Sequence, residues 1–427
     1  MSKKDIIILS SFFDKNLIKN LYQSDLSLKS QNYLKQVKTI KNKNYFSRID
    51  LDYFLHNEYL SFEIFVNADC ALNKLFEEEN IKFGNYEEGI LKIIEKFKPK
   101  IVILRDINCL SINKLIQVKN LNKLNFKTIL LNGFPIRQPK IYSEFDYVVF
   151  RNPWLKSKFA NICKNSELIY HCFNSEILKK ISLNNFEERD KIIFFDGSSY
   201  SDGFYQHKKR YFYLYKLLKK KLIEANIYEN NNYFHKLSYY IYNLTKKINN
   251  SEKIIIFFLN SISQINKKIF NKYYKRFDLI ADNINNFDSS DYQKFYRGPL
   301  SFNFKNQINK PNFGYNYYNS INNSKISLNI HTEAMGYTAG NIRLFEITGM
   351  KSCMLTENFN NISDLFESDK DVVTYVNFED LEEKINFLKK NLNIAKDIAK
   401  NGYDKVQKYH TEKSRIHDYL KLIKKII

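Results

Sequence analysis

The stretch that decides how this chain is read runs from Lys325 to Cys353, KISLNIHTEAMGYTAGNIRLFEITGMKSC. Its opening, Lys325 to Ile330, sets Ile326, Leu328 and Ile330 alternately with polar side chains, the period of a β-strand. A loop holding His331, Gly336 and Gly340 follows. From Asn341 to Glu346 the residues predict the start of a helix, with Gly349 placed to end it in the left-handed conformation that glycine adopts without steric cost. A second apolar run, Ser352 to Thr356, reads as the next strand. Strand, glycine-bearing loop, helix and strand make one unit of a parallel α/β sheet. The first backbone N–H groups of such a helix have no partner within it and favour an anion, phosphate above all. Gly340, Asn341 and Ile342 supply that helix start, Arg343 adds a fork of donors, and Glu346 offers a carboxylate to sugar hydroxyls. The same residues also fit an ordinary α/β crossover in which Arg343 and Glu346, three apart, form a surface ion pair.

Similar units recur along the chain. Ile6–Ser10 reads as a strand, and Tyr86 to Phe97 has helical spacing that stops before Pro99. Ile101–Leu104, Lys127–Leu131 and Tyr147–Phe150 are short apolar strands, the last two followed by the turns Asn132-Gly133-Phe134-Pro135 and Arg151-Asn152-Pro153. Repeated β-loop-α units of this kind predict a doubly wound sheet. A fresh start comes at Lys191, where Ile192–Phe195 leads into Asp196-Gly197-Ser198-Ser199, with Gly197-Ser198 at the end of that strand. The polar stretch between residues 175 and 190 therefore separates an N-terminal domain, residues 1–180, from a C-terminal one, residues 190–427. From Tyr211 to Arg276 the chain is rich in Tyr and Lys and mostly helical in period, and reads as an insertion. No solenoid repeat is visible.

Composition bounds the function. A chain of 427 residues is long enough for two cores, and 44% hydrophobic content with 16% aromatic is that of a globular protein. The net charge of +21 points to acidic partners, such as nucleotide diphosphates or an anionic inner-membrane surface touched peripherally. Nucleic acid is disfavoured, because the lysines are dispersed and no zinc-finger, helix-turn-helix or RNP-like signature appears. Five scattered cysteines without a C-x-x-C argue against a disulfide framework or zinc site and fit a reducing, cytoplasmic compartment. The first apolar run, Ile6 to Leu9, is too short for a signal-peptide core, and Ile254 to Leu259 cannot span a bilayer. His410 and His417 are spaced to share one helix face, a surface feature in place of a metal site. No P-loop, G-x-G-x-x-G or G-x-S-x-G is present, which weakens kinase, dehydrogenase and esterase readings.

The segment from Ser324 to Leu388, continued by Ile398 to Leu420, resembles the C-terminal half of GT-B glycosyltransferases, closest to the CgeB-like branch of group 1 type transferases. The landmarks are a strand ending in Leu328-Asn329, then Gly340-Asn341-Ile342-Arg343-Leu344-Phe345-Glu346, a strand ending near Thr356, the strand Val372-Val373-Thr374-Tyr375, and a terminal helix after His410-Thr411. Weaker echoes lie at Ile192 to Arg210 and Phe65 to Phe76. The resemblance implies a GT-B fold, two Rossmann-like domains facing across a cleft. The C-terminal domain would bind a nucleotide sugar, and the N-terminal domain would present a glycan, lipid-linked or protein acceptor. It also implies that Gly340, Asn341, Ile342, Gly197 and Ser198 cradle the nucleotide, Glu346 holds the ribose, and Arg343 and His331 serve the chemistry. A basic residue after the first strand of that domain, here Arg210 in His207-Lys208-Lys209-Arg210, would lie over the diphosphate; as a bare sequence it fits a solvated helix start equally well. The chain departs from the larger retaining family's pair of glutamates eight apart, because the first of those positions is Thr338; Glu333 or His331 would have to stand in. No cofactor or metal is implied beyond the donor itself. Asp50-Leu51-Asp52 and Asp369-Lys370-Asp371 have the D-x-D form of GT-A metal sites, but neither follows a buried strand with a suitable loop. The competing classes are a GT-B-shaped binding protein without activity and a basic protein that binds anionic lipid or nucleic acid.

Overall fold

The computed structural model describes residues 4–12, 15–43, 50–136, 138–200, 208–229 and 300–427. Two six-stranded sheets carry the fold, and every strand pairing in them is parallel. The first comprises β1 (Ile6–Ser10), β2 (Ser61–Phe65), β3 (Ile101–Leu104), β4 (Lys127–Asn132), β5 (Tyr147–Phe150) and β6 (Ser166–Leu168), in the order β2-β1-β3-β4-β5-β6. The second comprises β7 (Lys191–Tyr200), β8 (Glu224–Glu229), β9 (Ile308–Asn309), β10 (Ser324–Leu328), β11 (Cys353–Glu357) and β12 (Val373–Tyr375), in the order β12-β11-β10-β7-β8-β9. In each, the strand order reverses beside the first strand, between β1 and β3 and between β7 and β10. That reversal opens the crevice in which doubly wound sheets bind ligands.

The unbroken apolar runs have a direct cause. Ile6, Ile7, Ile8 and Leu9 are all fully buried because helices cover both faces of a parallel sheet. Alternate residues divide between the faces: Ile7, Leu9, Val102, Leu104, Leu130 and Phe150 enter one core, and Ile6, Ile8, Ile101, Ile103, Ile129 and Val149 enter another. The second of these cores is closed by Ile416, Tyr419, Leu422 and Ile423 of the helix Glu412–Ile426. The C-terminal helix, expected with the second domain, therefore crosses back and packs on the first sheet. In the opposite sense, Phe173, Ile177 and Ile181 leave the first sheet and pack with Leu344, Phe345 and Ile347 of the second domain.

Several elements match their predicted bounds, among them β1, β3, β5 and the helix Tyr86–Phe97, whose last turn closes on Lys98 in the left-handed conformation just before Pro99. Others differ. Tyr211 to Glu229 is no insertion: the helix Lys208–Lys219 packs against β7, and Glu224–Glu229 is β8, paired with β7 on one side and β9 on the other. The remainder of the proposed insertion, residues 230–276, lies outside the described residues, as do His207 and Ile254 to Leu259. His410 and His417 do not share a helix: His410 ends the helix Leu392–Tyr409, buried with Nε2 3.1 Å from Leu365 O, and His417 belongs to the next one. Among the described residues, no helix is long and apolar enough to cross a membrane.

Candidate nucleotide site at the switch point of the second sheet

β7 pairs with β10 only as far as Phe194 and Ser327, whereas its pairing with β8 continues to Tyr200. Asp196-Gly197-Ser198-Ser199 is thus a strand overhang that flanks the crevice on its β10 side. Across from it stands the helix Arg343–Gly349, which begins two residues later than predicted. Gly349 does not end it in a left-handed turn. That conformation falls on Lys351, with φ 58°, while Gly349 sits inside the helix, where a Cβ would come within 2.4 Å of the Phe173 ring. Gly340 likewise serves a close approach: a Cβ there would lie 2.9 Å from Arg151 O of the first domain.

Arg343 spans the crevice to β7. Its guanidinium stacks over Phe195 at 5.2 Å and fills the space beside Gly197, where a Cβ would fall 2.2 Å from Nη2 and force it to shift. Gly197 also has φ 157°, a region L side chains rarely adopt. Among the described residues, Arg343 Nε and Nη1 are buried without a hydrogen-bond partner. Glu346, 4% exposed, makes no ion pair with Arg343 among the described residues; its two oxygens accept from Tyr317 Oη at 2.9 Å and Tyr318 Oη at 2.8 Å. Burial raises its carboxyl above the usual range, and the two tyrosines and Arg343 only partly offset this. Each carboxylate oxygen retains a second lone pair for a hydroxyl. Asn341 exchanges side-chain bonds with Asn329, the residue after β10 (2.9 and 3.3 Å), and Asn329 also reaches Thr356 at 3.1 Å. These amides hold the loop before the Arg343 helix against the strand ends.

Residues that the sequence did not single out complete the site. Asp196 on β7 is pushed up to about 7 by burial, against the lowering effects of the Asn226 amide at 2.9 Å and the Arg343 charge. Glu357, the last residue of β11, accepts from the His331 main-chain N–H at 2.8 Å and lies 2.7 Å from His331 Nδ1. Lys209 Nζ stands 3.4 Å from its other oxygen, and the Lys209 main-chain N–H donates to Glu333 at 2.5 Å. Arg210, 4% exposed, is not poised as a free cation: Nε and Nη2 donate to Ile330 O at 2.9 and 2.5 Å, and Nη1 to Ser198 O at 3.0 Å. It ties the end of β7 to the segment after β10, and Lys209, 22% exposed at its side chain, is the more accessible basic residue of that helix start. No spacing rule signals Asp196 or Glu357, because both are single acids on apolar strands whose neighbours come from elsewhere in the chain.

The two domains touch at this rim. The amide of Asn152, just after β5, donates to Thr338 O at 3.2 Å, and Thr338 Oγ1 donates to Asn152 Oδ1 at 2.9 Å. Trp154 packs on Gly336, where a Cβ would approach its ring to 2.6 Å. Thr338, at the position where the resembled retaining family carries a glutamate, is thus occupied in holding the domains together. The D-x-D aspartates are also engaged elsewhere: Asp50 caps a helix and pairs with Lys41 at 2.9 Å, and Asp371 pairs with Lys405 at 2.7 Å. Among the described residues, no group of three His, Cys, Asp or Glu converges.

Comparison with known proteins agrees with the two-sheet fold. Residues 258–421 match the family model described as glycosyl transferase-like. A glycosyltransferase from Rickettsia africae ESF-5 superposes with a TM-score of 0.53 at 14% identity, covering 100% of this chain and 99% of that one. Anabaena HepE, solved in complex with UDP-glucose, superposes with a TM-score of 0.54 at 8% identity, covering 99% of this chain and 100% of its own. Curated protein sequences give no match. The paired parallel sheets are the GT-B fold, and the C-terminal region that carries the candidate site is similar to the glycosyl transferase-like family.

Proposed function

We propose that the protein transfers a sugar from a nucleotide-sugar donor bound at the switch point of the second sheet, without a divalent metal, to a glycan, lipid-linked or protein acceptor presented by the first domain. The observation that carries this reading is Arg343, whose Nε and Nη1 are buried and unpaired among the described residues beside a glycine that makes room for it. Two buried, unpaired guanidinium nitrogens are costly, and the oxygens of a diphosphate supply acceptors that repay the cost. The HepE complex with UDP-glucose supports a nucleotide sugar as the class of ligand.

In the reaction, negative charge builds on the leaving diphosphate as the glycosidic bond breaks, and the sugar passes through an oxocarbenium-like state. Arg343 and Lys209 are the cations placed to meet that charge, and Gly340, Asn341, Ile342 and Ser198 form the backbone around it. Glu346, oriented by Tyr317 and Tyr318, would accept from the ribose hydroxyls. The high positive charge of the chain suits a cytoplasmic enzyme that works beside an anionic membrane face. The test is thermal shift against UDP-, GDP-, CMP- and dTDP-sugars, since a ligand that binds only the folded state raises stability in proportion to ln(1 + [L]/Kd). One donor should stabilise the protein, and Arg343→Ala should weaken it by about 1–3 kcal/mol. Turnover should persist in excess EDTA; loss restored by Mn²⁺ or Mg²⁺ would overturn the metal-free mechanism.

A further inference from the structure

We infer that Glu357 is the positioning residue for His331, fixing the imidazole so that Nε2 is the acceptor offered to a hydroxyl of the donor; this rests on the donor site proposed above.

The geometry is specific. A single Glu357 oxygen, Oε2, takes the His331 main-chain N–H and lies within bonding distance of Nδ1, so backbone and ring are held on one carboxylate. An ionised carboxylate can only accept, which places the hydrogen on Nδ1 and leaves Nε2 as the ring's acceptor nitrogen. Burial alone would raise the Glu357 carboxyl, but the contacts of His331 and the Lys209 charge overcome it and hold the group at about 2. The ring is further fixed edge-on against Phe359, with centroids 4.8 Å apart, and Arg210 clamps the preceding carbonyl of Ile330 with two bonds. Every direction is braced except one. His331 is 2% exposed, yet its Nε2 has no hydrogen-bond partner among the described residues, and Thr332 Oγ1 and Glu333 Oε2 in the next two residues share that condition. Unpaired buried polar atoms are rare in folded proteins, and three in succession at a switch point mark where a polar ligand is received.

The alternative is that Glu357 merely fastens the end of β11 to the loop. The two roles separate in the full chain labelled with ¹⁵N-histidine, where a His331→Ala spectrum identifies the His331 ring signals among those of the seven histidines. His331 should carry its hydrogen on Nδ1, and its Nε2 resonance should move when UDP, GDP or dTDP saturates the protein. Glu357→Gln keeps an acceptor for the main-chain N–H but removes the charge. It should weaken nucleoside diphosphate binding roughly tenfold in the native background and leave it unchanged in a His331→Ala background. A hydrogen on Nε2 in the free protein, an Nε2 signal unmoved by a nucleotide that binds, or an equal loss from Glu357→Gln in both backgrounds would each overturn the inference. If none of the three nucleotides binds the native protein, the donor-site reading falls together with the ligand half of this inference, and the Nδ1 tautomer alone decides the positioning half.

Discussion

Gly197→Ala gives the sharpest test of how the crevice works. The added methyl would sit 2.2 Å from Arg343 Nη2 and 2.9 Å from Cζ, far inside contact distance, on a residue with φ 157°. Two costs follow, and they act on different quantities. Holding an L-residue in that backbone region costs on the order of 1–3 kcal/mol of stability, whatever its neighbour. Displacing the guanidinium costs binding instead: about 1–3 kcal/mol for a charged hydrogen bond left unmade, or roughly 5- to 150-fold in the dissociation constant. Calorimetric titration of the best-binding nucleoside diphosphate, run beside urea unfolding, measures both. In an Arg343→Ala background the methyl meets no guanidinium, so Gly197→Ala should still destabilise the fold yet cost no further affinity. A binding loss of the same size in both backgrounds would refute the idea that Gly197 acts by admitting Arg343, and would place its effect in the backbone of β7.

Four further expectations follow from the same contacts. Asp196, held at about 7 against an ordinary 3.8, keeps its proton in the folded state after the unfolded chain has lost it; its contribution to stability should therefore be fullest below about pH 4 and fall as pH rises to about 7. Asp196→Asn should remove most of that decline, up to about 4 kcal/mol between urea unfolding at pH 4 and pH 8, and an unchanged pH profile would contradict the burial argument. Asn152→Ala deletes the helix cap on Leu155 and both bonds to Thr338, and should cost about 1–3 kcal/mol, with the fluorescence of the chain's single tryptophan, Trp154, reporting a looser rim while nucleotide affinity holds. Leu422→Ala, in the helix that closes the first sheet, should cost about 2–5 kcal/mol in urea unfolding; a loss under 1 kcal/mol would mean that helix is not part of the core. Glu346→Gln should weaken a ribonucleoside diphosphate by about 1.5–3 kcal/mol and leave its 2′,3′-dideoxy form unaffected, whereas equal loss of the two would confine Glu346 to bracing Tyr317 and Tyr318.

Much of the architecture was legible in the chain because parallel strands buried on both faces are continuous apolar runs. Ile6–Ser10, Ile101–Leu104 and Tyr147–Phe150 could be bounded to the residue for that reason. The stretch from Lys325 to Cys353 likewise announced strand, loop, helix and strand, and it named Arg343, His331, Glu346 and Gly340, since glycine and charge beside an apolar run are local signals. Local signals could not say what each glycine was for. Gly349 looked like a helix stop and instead makes room for Phe173, and Gly340 looked like the opening of a helix and instead meets Arg151 of the other domain. They could not assign Glu224–Glu229 either, a short strand whose partners β7 and β9 lie distant in the chain. The pairing of His331 with Glu357, of Arg343 with Gly197 and of Thr338 with Asn152 spans 26, 146 and 186 positions of sequence. Such contacts exist only after the sheet order has brought strand ends together. The sequence by itself therefore determined which elements form and which side chains carry charge into the crevice. The tertiary structure decided which of those charges are consumed in holding the fold, as with Arg210, and which remain for a ligand, as with Arg343, because desolvation and partnership are properties of the packed crevice and not of the chain.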